Sequence, residues 1–132
     1  MHDSWNRSVQ LIHYFKLFLD KPSKPEGPIV VKDVFKDRCH LSWKPPLDDG
    51  GIPIDHYIVE AQDVATKKWV EVGKVREDTQ CGVPDLIPGK KYKFQVKAVN
   101  SEGKSDPLVT TNEILAKDPF GQNIFSNYST NF

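Results

Sequence analysis

Residues 91–98, Lys-Tyr-Lys-Phe-Gln-Val-Lys-Ala, alternate polar and apolar side chains without a break. Successive side chains of an extended strand point to opposite faces. Tyr92, Phe94, Val96 and Ala98 therefore share one face, and Lys91, Lys93, Gln95 and Lys97 share the other. One face meets a core and the other meets water. Cys39, Leu41 and Trp43 alternate with His40, Ser42 and Lys44 in the same way, and Tyr57, Val59 and Ala61 do so again. Trp69 and Val72, Val30 and Val34, and a last run from Leu108 to Leu115 supply further strands. No stretch between residues 21 and 118 sustains a 3.6-residue period, so no helix is expected there. The pattern predicts seven strands, at about 28–34, 38–44, 55–62, 68–75, 78–83, 90–99 and 108–116. Without helices to carry parallel crossovers, their connections are antiparallel. The expected fold is all-β, a sandwich of two antiparallel sheets. Its expected core holds Trp43, Tyr57, Val59, Trp69, Leu86, Tyr92, Phe94, Val96 and Ala98.

Between two of these strands lies Trp-Lys-Pro-Pro-Leu-Asp-Asp-Gly-Gly-Ile-Pro-Ile-Asp-His-Tyr, residues 43–57. Two chemical readings are weighed first: glycines that cradle a phosphate, and carboxylates that hold a metal. A phosphate loop leads from a strand into a helix, with Lys and Ser or Thr behind the glycines. These glycines lead into Ile-Pro-Ile and another strand. Pro45 and Pro46 end the first strand because they donate no ladder hydrogen bond. Asp49, Gly50 and Gly51 suit the positive φ angles of a tight reversal, and Pro53 stiffens the return. The stretch reads as a turn. Asp48, Asp49, Asp55 and His56 could be drawn as a metal or acid–base site, yet aspartates populate turns because they bond local backbone. His56, at a strand start, is expected to be exposed. No GxSxG-like elbow offers a serine nucleophile. No catalytic, cofactor or metal residue is assigned, and the chain is read as a non-enzyme.

Lys plus Arg and Asp plus Glu both number 18, so the formal net charge is zero. Nucleic-acid binding usually shows a basic excess, because phosphate neutralisation supplies much of the affinity. Neither nucleic acid nor membrane is an expected partner. Cys39 and Cys81 allow one bridge by parity but fit no zinc spacing. By alternation both point inward, where apolar surroundings raise a thiol's pKa and make it inert. The Lys91, Lys93 and Lys97 face could meet heparin or an acidic filament, but such residues are more often a strand's solvated side. Residues 1–20 lose the alternating pattern and are expected to be an extension outside the domain. Their apolar run, Leu11 to Leu19, is too short to span a bilayer and lacks signal-peptide flanks. The domain is placed at 21–118 and a loose tail at 119–132. Asn6 and Asn127 begin sequons that matter only in a secreted chain.

A second turn, Leu86-Ile87-Pro88-Gly89-Lys90-Lys91-Tyr92, puts a tyrosine three residues after a Pro88-Gly89 reversal. A buried tyrosine there needs a partner for its hydroxyl, and backbone upstream across the corner is the nearest acceptor. With Trp43 in the second strand and Ala98-Val99-Asn100-Ser101-Glu102-Gly103-Lys104-Ser105 closing the sixth, residues 22–117 resemble the fibronectin type III domain, a seven-stranded immunoglobulin-like sandwich. Trp-Lys-Pro-Pro-Leu-Asp-Asp-Gly-Gly-Ile-Pro-Ile-Asp-His-Tyr-Ile-Val-Glu, Lys-Lys-Trp-Val-Glu-Val-Gly-Lys-Val and Ile-Leu-Ala-Lys-Asp-Pro-Phe are similar to the type III domains of the giant muscle proteins twitchin, titin and projectin. The resemblance implies an invertebrate, twitchin-like parent and a non-catalytic structural and interaction module of the sarcomere. It implies neighbouring immunoglobulin and type III modules in tandem, thick-filament (myosin) proteins as partners, and a cytoplasmic location. An extracellular adhesion or receptor module is the alternative. The integrin-binding Arg-Gly-Asp of some such modules is replaced here by Glu102-Gly103-Lys104.

Overall fold

The structure is a computed structural model that describes residues 18–119 of the 132-residue chain. The expectations for residues 1–17 and 120–132 lie outside the described residues. The strands are β1 (Glu26–Lys32), β2 (Cys39–Lys44), β3 (His56–Asp63), β4 (Lys68–Val75), β5 (Gln80–Val83), β6 (Lys91–Asn100), β7 (Gly103–Lys104), β8 (Leu108–Val109) and β9 (Ile114–Leu115). Among the described residues there is no helix. One sheet runs β1-β2-β5; the other runs β4-β3-β6, with β7, β8 and β9 all paired to β6. Every pairing is antiparallel.

Alternation puts Tyr57, Val59 and Ala61 of β3 opposite Ala98, Val96 and Phe94 of β6. These side chains meet Cys39, Leu41 and Trp43 of β2 and Val83 of β5 in a single buried cluster. Leu41, Val59, Phe94, Val96 and Ala98 have no accessible surface. The Trp43 and Tyr57 rings meet edge to face, with centroids 5.5 Å apart at 65°, an arrangement aromatic quadrupoles favour. Leu86 and Tyr92 close the core beneath the Pro88-Gly89 turn.

Two expectations change. The seventh strand, expected as one run over 108–116, is two short pieces, β8 and β9, and a further short strand, β7, precedes them on the same edge. The ladder persists partly through side chains: the Ala98 amide donates to Ser105 Oγ at 2.9 Å, and the Phe94 amide donates to Thr110 Oγ1 at 3.0 Å. Hydroxyls thus stand where strand carbonyls would, and Pro107 brings no N–H. Taken together, β7, β8 and β9 occupy the place of one edge strand, which restores the count of seven. Trp69, expected in the core, is only half-buried and outside the core cluster. It pairs with Gln62, which alternation places on the outer face. The register shift between Val59 and Glu60 is a bulge that leaves Val72 unopposed and reverses the phase of β4 across it.

Candidate interaction surfaces

Asp48, Asp49, Asp55 and His56 are not brought together as one chemical site. Asp48 Oδ1 accepts from the Gly50 amide and Asp49 Oδ1 from the Gly51 amide, each at 2.8 Å. Both carboxylates are therefore occupied by their own turn. Gly50 and Gly51 take φ of +79° and +86°, a region that glycine enters without steric penalty. Pro45 and Pro46 follow directly on the end of β2. Asp55 lies apart from them, with Oδ2 2.6 Å from His56 Nδ1 and the Arg76 guanidinium 3.3 Å from both oxygens. The His56 bond and the Arg76 charge hold the Asp55 carboxyl below its ordinary value. His56, expected to be exposed, is instead mostly covered, its side chain 15% accessible. Among the described residues no three His, Cys, Asp or Glu side chains converge as a metal site. No described helix is long and apolar enough to cross a membrane.

At the opposite end of β6, the Tyr92 hydroxyl oxygen accepts a 2.9 Å hydrogen bond from the Ile87 amide. The sequence suggested the backbone as acceptor, whereas here the backbone donates. The Ile87 carbonyl is already taken by the Lys90 amide at 3.1 Å, across a turn with Pro88 in its first central position and Gly89, at φ +85°, in its second. Beside this corner a groove of about 610 Å³ opens between β4 and the 84–87 segment, with Val70 and Ile87 more than half exposed at its rim.

The outer face of the larger sheet is less plainly solvated than its lysines suggest. Glu60 Oε1 accepts from Gln95 Nε2 at 2.8 Å and lies 3.1 Å from Lys97 Nζ. Burial pushes the Glu60 carboxyl up, but the Gln95 and Lys97 hydrogen bonds and the Lys97 and Lys104 charges outweigh it and hold the group below its ordinary value. Lys97 is thus tied down, unlike the exposed Lys91.

The remaining surface is the end formed by the 45–55 and 101–103 loops, where the chain comes in. Asn100, the last residue of β6, is 4% exposed. Its Nδ2 donates to the Asp20 and Asp49 carbonyls, each at 2.8 Å, and its Oδ1 accepts from the Glu102 and Gly103 amides at 2.8 and 3.2 Å. Asp20, assigned from sequence to the extension, is thereby bonded to the domain. The sequence held a signal for Asn100: it continues the inward parity of Tyr92, Phe94, Val96 and Ala98, and a polar residue at an inward position needs internal partners.

The comparisons agree with this architecture. A model of the fibronectin type III domain matches residues 23–111. The chain is 39% identical over 90 residues to titin of Drosophila melanogaster, covering 67% of this chain and, to the nearest per cent, 0% of that protein. It is 37% identical over 89 residues to fast-type myosin-binding protein C of Mus musculus, covering 67% of this chain and 8% of that one. The solved twitchin kinase region of Caenorhabditis elegans superposes with a TM-score of 0.69 at 30% identity, covering 74% of this chain and 17% of that one. The chain therefore spans only a small part of each of these proteins. It belongs to the fibronectin type III family, and within that family it is similar to the modules of titin-like muscle proteins.

Proposed function

We propose that the chain is a non-catalytic structural and protein-interaction module, one unit of a tandem array in an intracellular sarcomeric protein. The observation that carries this reading is the placement of its two ends. The chain comes in beside Gly50 and Asn100, where the Asp20 amide donates to the Gly50 carbonyl. It leaves beside Lys36 and Gly89, where the Gly89 amide donates to the Ala116 carbonyl and the Lys36 amide to Asp118 Oδ1. These points lie at opposite ends of β6, so force or geometry is passed along the strands from one neighbour to the next. Fibronectin type III domains are generally non-catalytic, and Asp48 and Asp49 bond their own turn.

The likeness to a myosin-binding protein supports thick-filament myosin as the partner surface. An antibody raised against residues 18–119 is expected to stain permeabilised muscle in stripes that keep the sarcomere period. The isolated domain is expected to sediment with myosin filaments. Staining of intact, unpermeabilised cells, or glycans at Asn6 or Asn127, would contradict the reading and favour an extracellular module.

A further inference from the structure

We propose that Asn100 is a latch that fixes residues 19–25 against this end of the sandwich, and with them the direction in which the chain comes into it. One buried amide joins three backbone segments distant in sequence: residue 20, residue 49 and residues 102–103. Its two N–H donors and two acceptor lone pairs are all used, the full capacity of an asparagine side chain. A fully satisfied polar group in a low-dielectric site specifies one arrangement, because every alternative strands a donor or an acceptor.

The incoming segment is held independently along its length. The Asp20 amide donates to the Gly50 carbonyl and the Ser23 amide to the Asp48 carbonyl, both at 2.9 Å, while the Asp48 amide donates back to Ser23 Oγ at 3.1 Å. Pro22 and Pro25 are buried and fix their own φ angles. Gly50 makes the approach possible: a Cβ there would lie 1.9 Å from the Asp20 carbonyl oxygen. A hinge is a stretch with few such contacts that absorbs φ/ψ change. Residues 19–25 have the opposite character.

Amide hydrogen exchange on the full 132-residue chain tests the latch. In the wild type the Asp20 and Ser23 amides are expected to be protected. Asn100→Asp keeps an oxygen to accept from Glu102 and Gly103 but turns lone pairs toward the Asp20 and Asp49 carbonyls. It is expected to lower protection at Asp20 and Ser23 by at least about tenfold, with Phe94 and Val96 in β6 unchanged within about twofold. Should Asn100→Asp loosen β6 as well, Gly50→Ala decides, since its Cβ displaces Asp20 without altering the amide. Loss confined to residues 20–23 supports the latch. Exchange of the wild-type Asp20 amide at the open-chain rate, or unaltered protection in the variants, overturns it.

Discussion

Tyr92, Trp43 and the Asp48–Asp49 pair should contribute very unequally to stability. Tyr92→Phe keeps the ring in place and strands the Ile87 amide, so it should cost about 1–3 kcal/mol, the range for an abandoned partner. Trp43→Ala empties a large site between the sheets and should cost more, about 3–5 kcal/mol. Trp43 Nε1 is buried with no hydrogen-bond partner among the described residues. Trp43→Phe should therefore cost clearly less than Trp43→Ala, because it removes an unpaired donor along with part of the ring. Replacing Asp48 and Asp49 together by Ala removes one part-buried and one exposed bond within one turn and should rank last. Denaturant titrations give the order directly, and a dominant aspartate effect would return a ligand site to the 45–55 turn. Glu60 adds a pH effect. Its folded carboxyl lies below its ordinary value, so its stabilisation is present above the unfolded pKa and is lost as pH falls through the folded one. Between about pH 5 and 3, wild-type stability should fall more steeply than that of Glu60→Gln.

Among the elements, those with strict alternation were legible and those that break it were not. β6 reads directly because its core parity runs unbroken from Tyr92 to Ala98. In β4, Trp69-Val70-Glu71-Val72 offers apolar residues at both parities, so the sequence could not show which phase faces inward. The bulge decides it, and Trp69 goes outward. Gly73, just past the bulge, is set by the other sheet: a Cβ there would lie 2.7 Å from Cys81 Sγ. The expected 108–116 strand is broken at Thr110, which looks like an ordinary strand polar residue while its hydroxyl takes over a ladder bond, as the Ser105 hydroxyl does ahead of it. Ser105→Ala and Thr110→Val should each cost about 1–3 kcal/mol by stranding the Ala98 and Phe94 amides. Serine at 110 should restore most of the loss. In the smaller sheet, Cys39 faces Val83 and Leu41 faces Cys81, so the thiols are diagonal neighbours. Diagonal Cα atoms lie about 7–8 Å apart, beyond disulfide reach without a backbone shift. Burial, aided by Cys81, pushes the Cys39 thiol up to about 12. Iodoacetamide at neutral pH should leave Cys39 unmodified until denaturant is added, and prompt labelling of the folded chain would contradict its placement.

At the scale of the whole molecule, the sequence carried the two-sheet sandwich and the turns that join it, because both follow from local pattern. The Asn100 node could not be read that way, since it unites residues 80 and 51 positions apart. The function proposed for the molecule rests on the same long-range arrangement, a sandwich whose two ends lie at opposite poles of β6. A single chain pulled through handles at residues 18 and 119 tests this most directly. The sandwich should give way in one abrupt unfolding step that releases roughly 300 Å of contour length, as expected for about a hundred residues going from folded to extended. Gradual extension with no force-resisting step would contradict it.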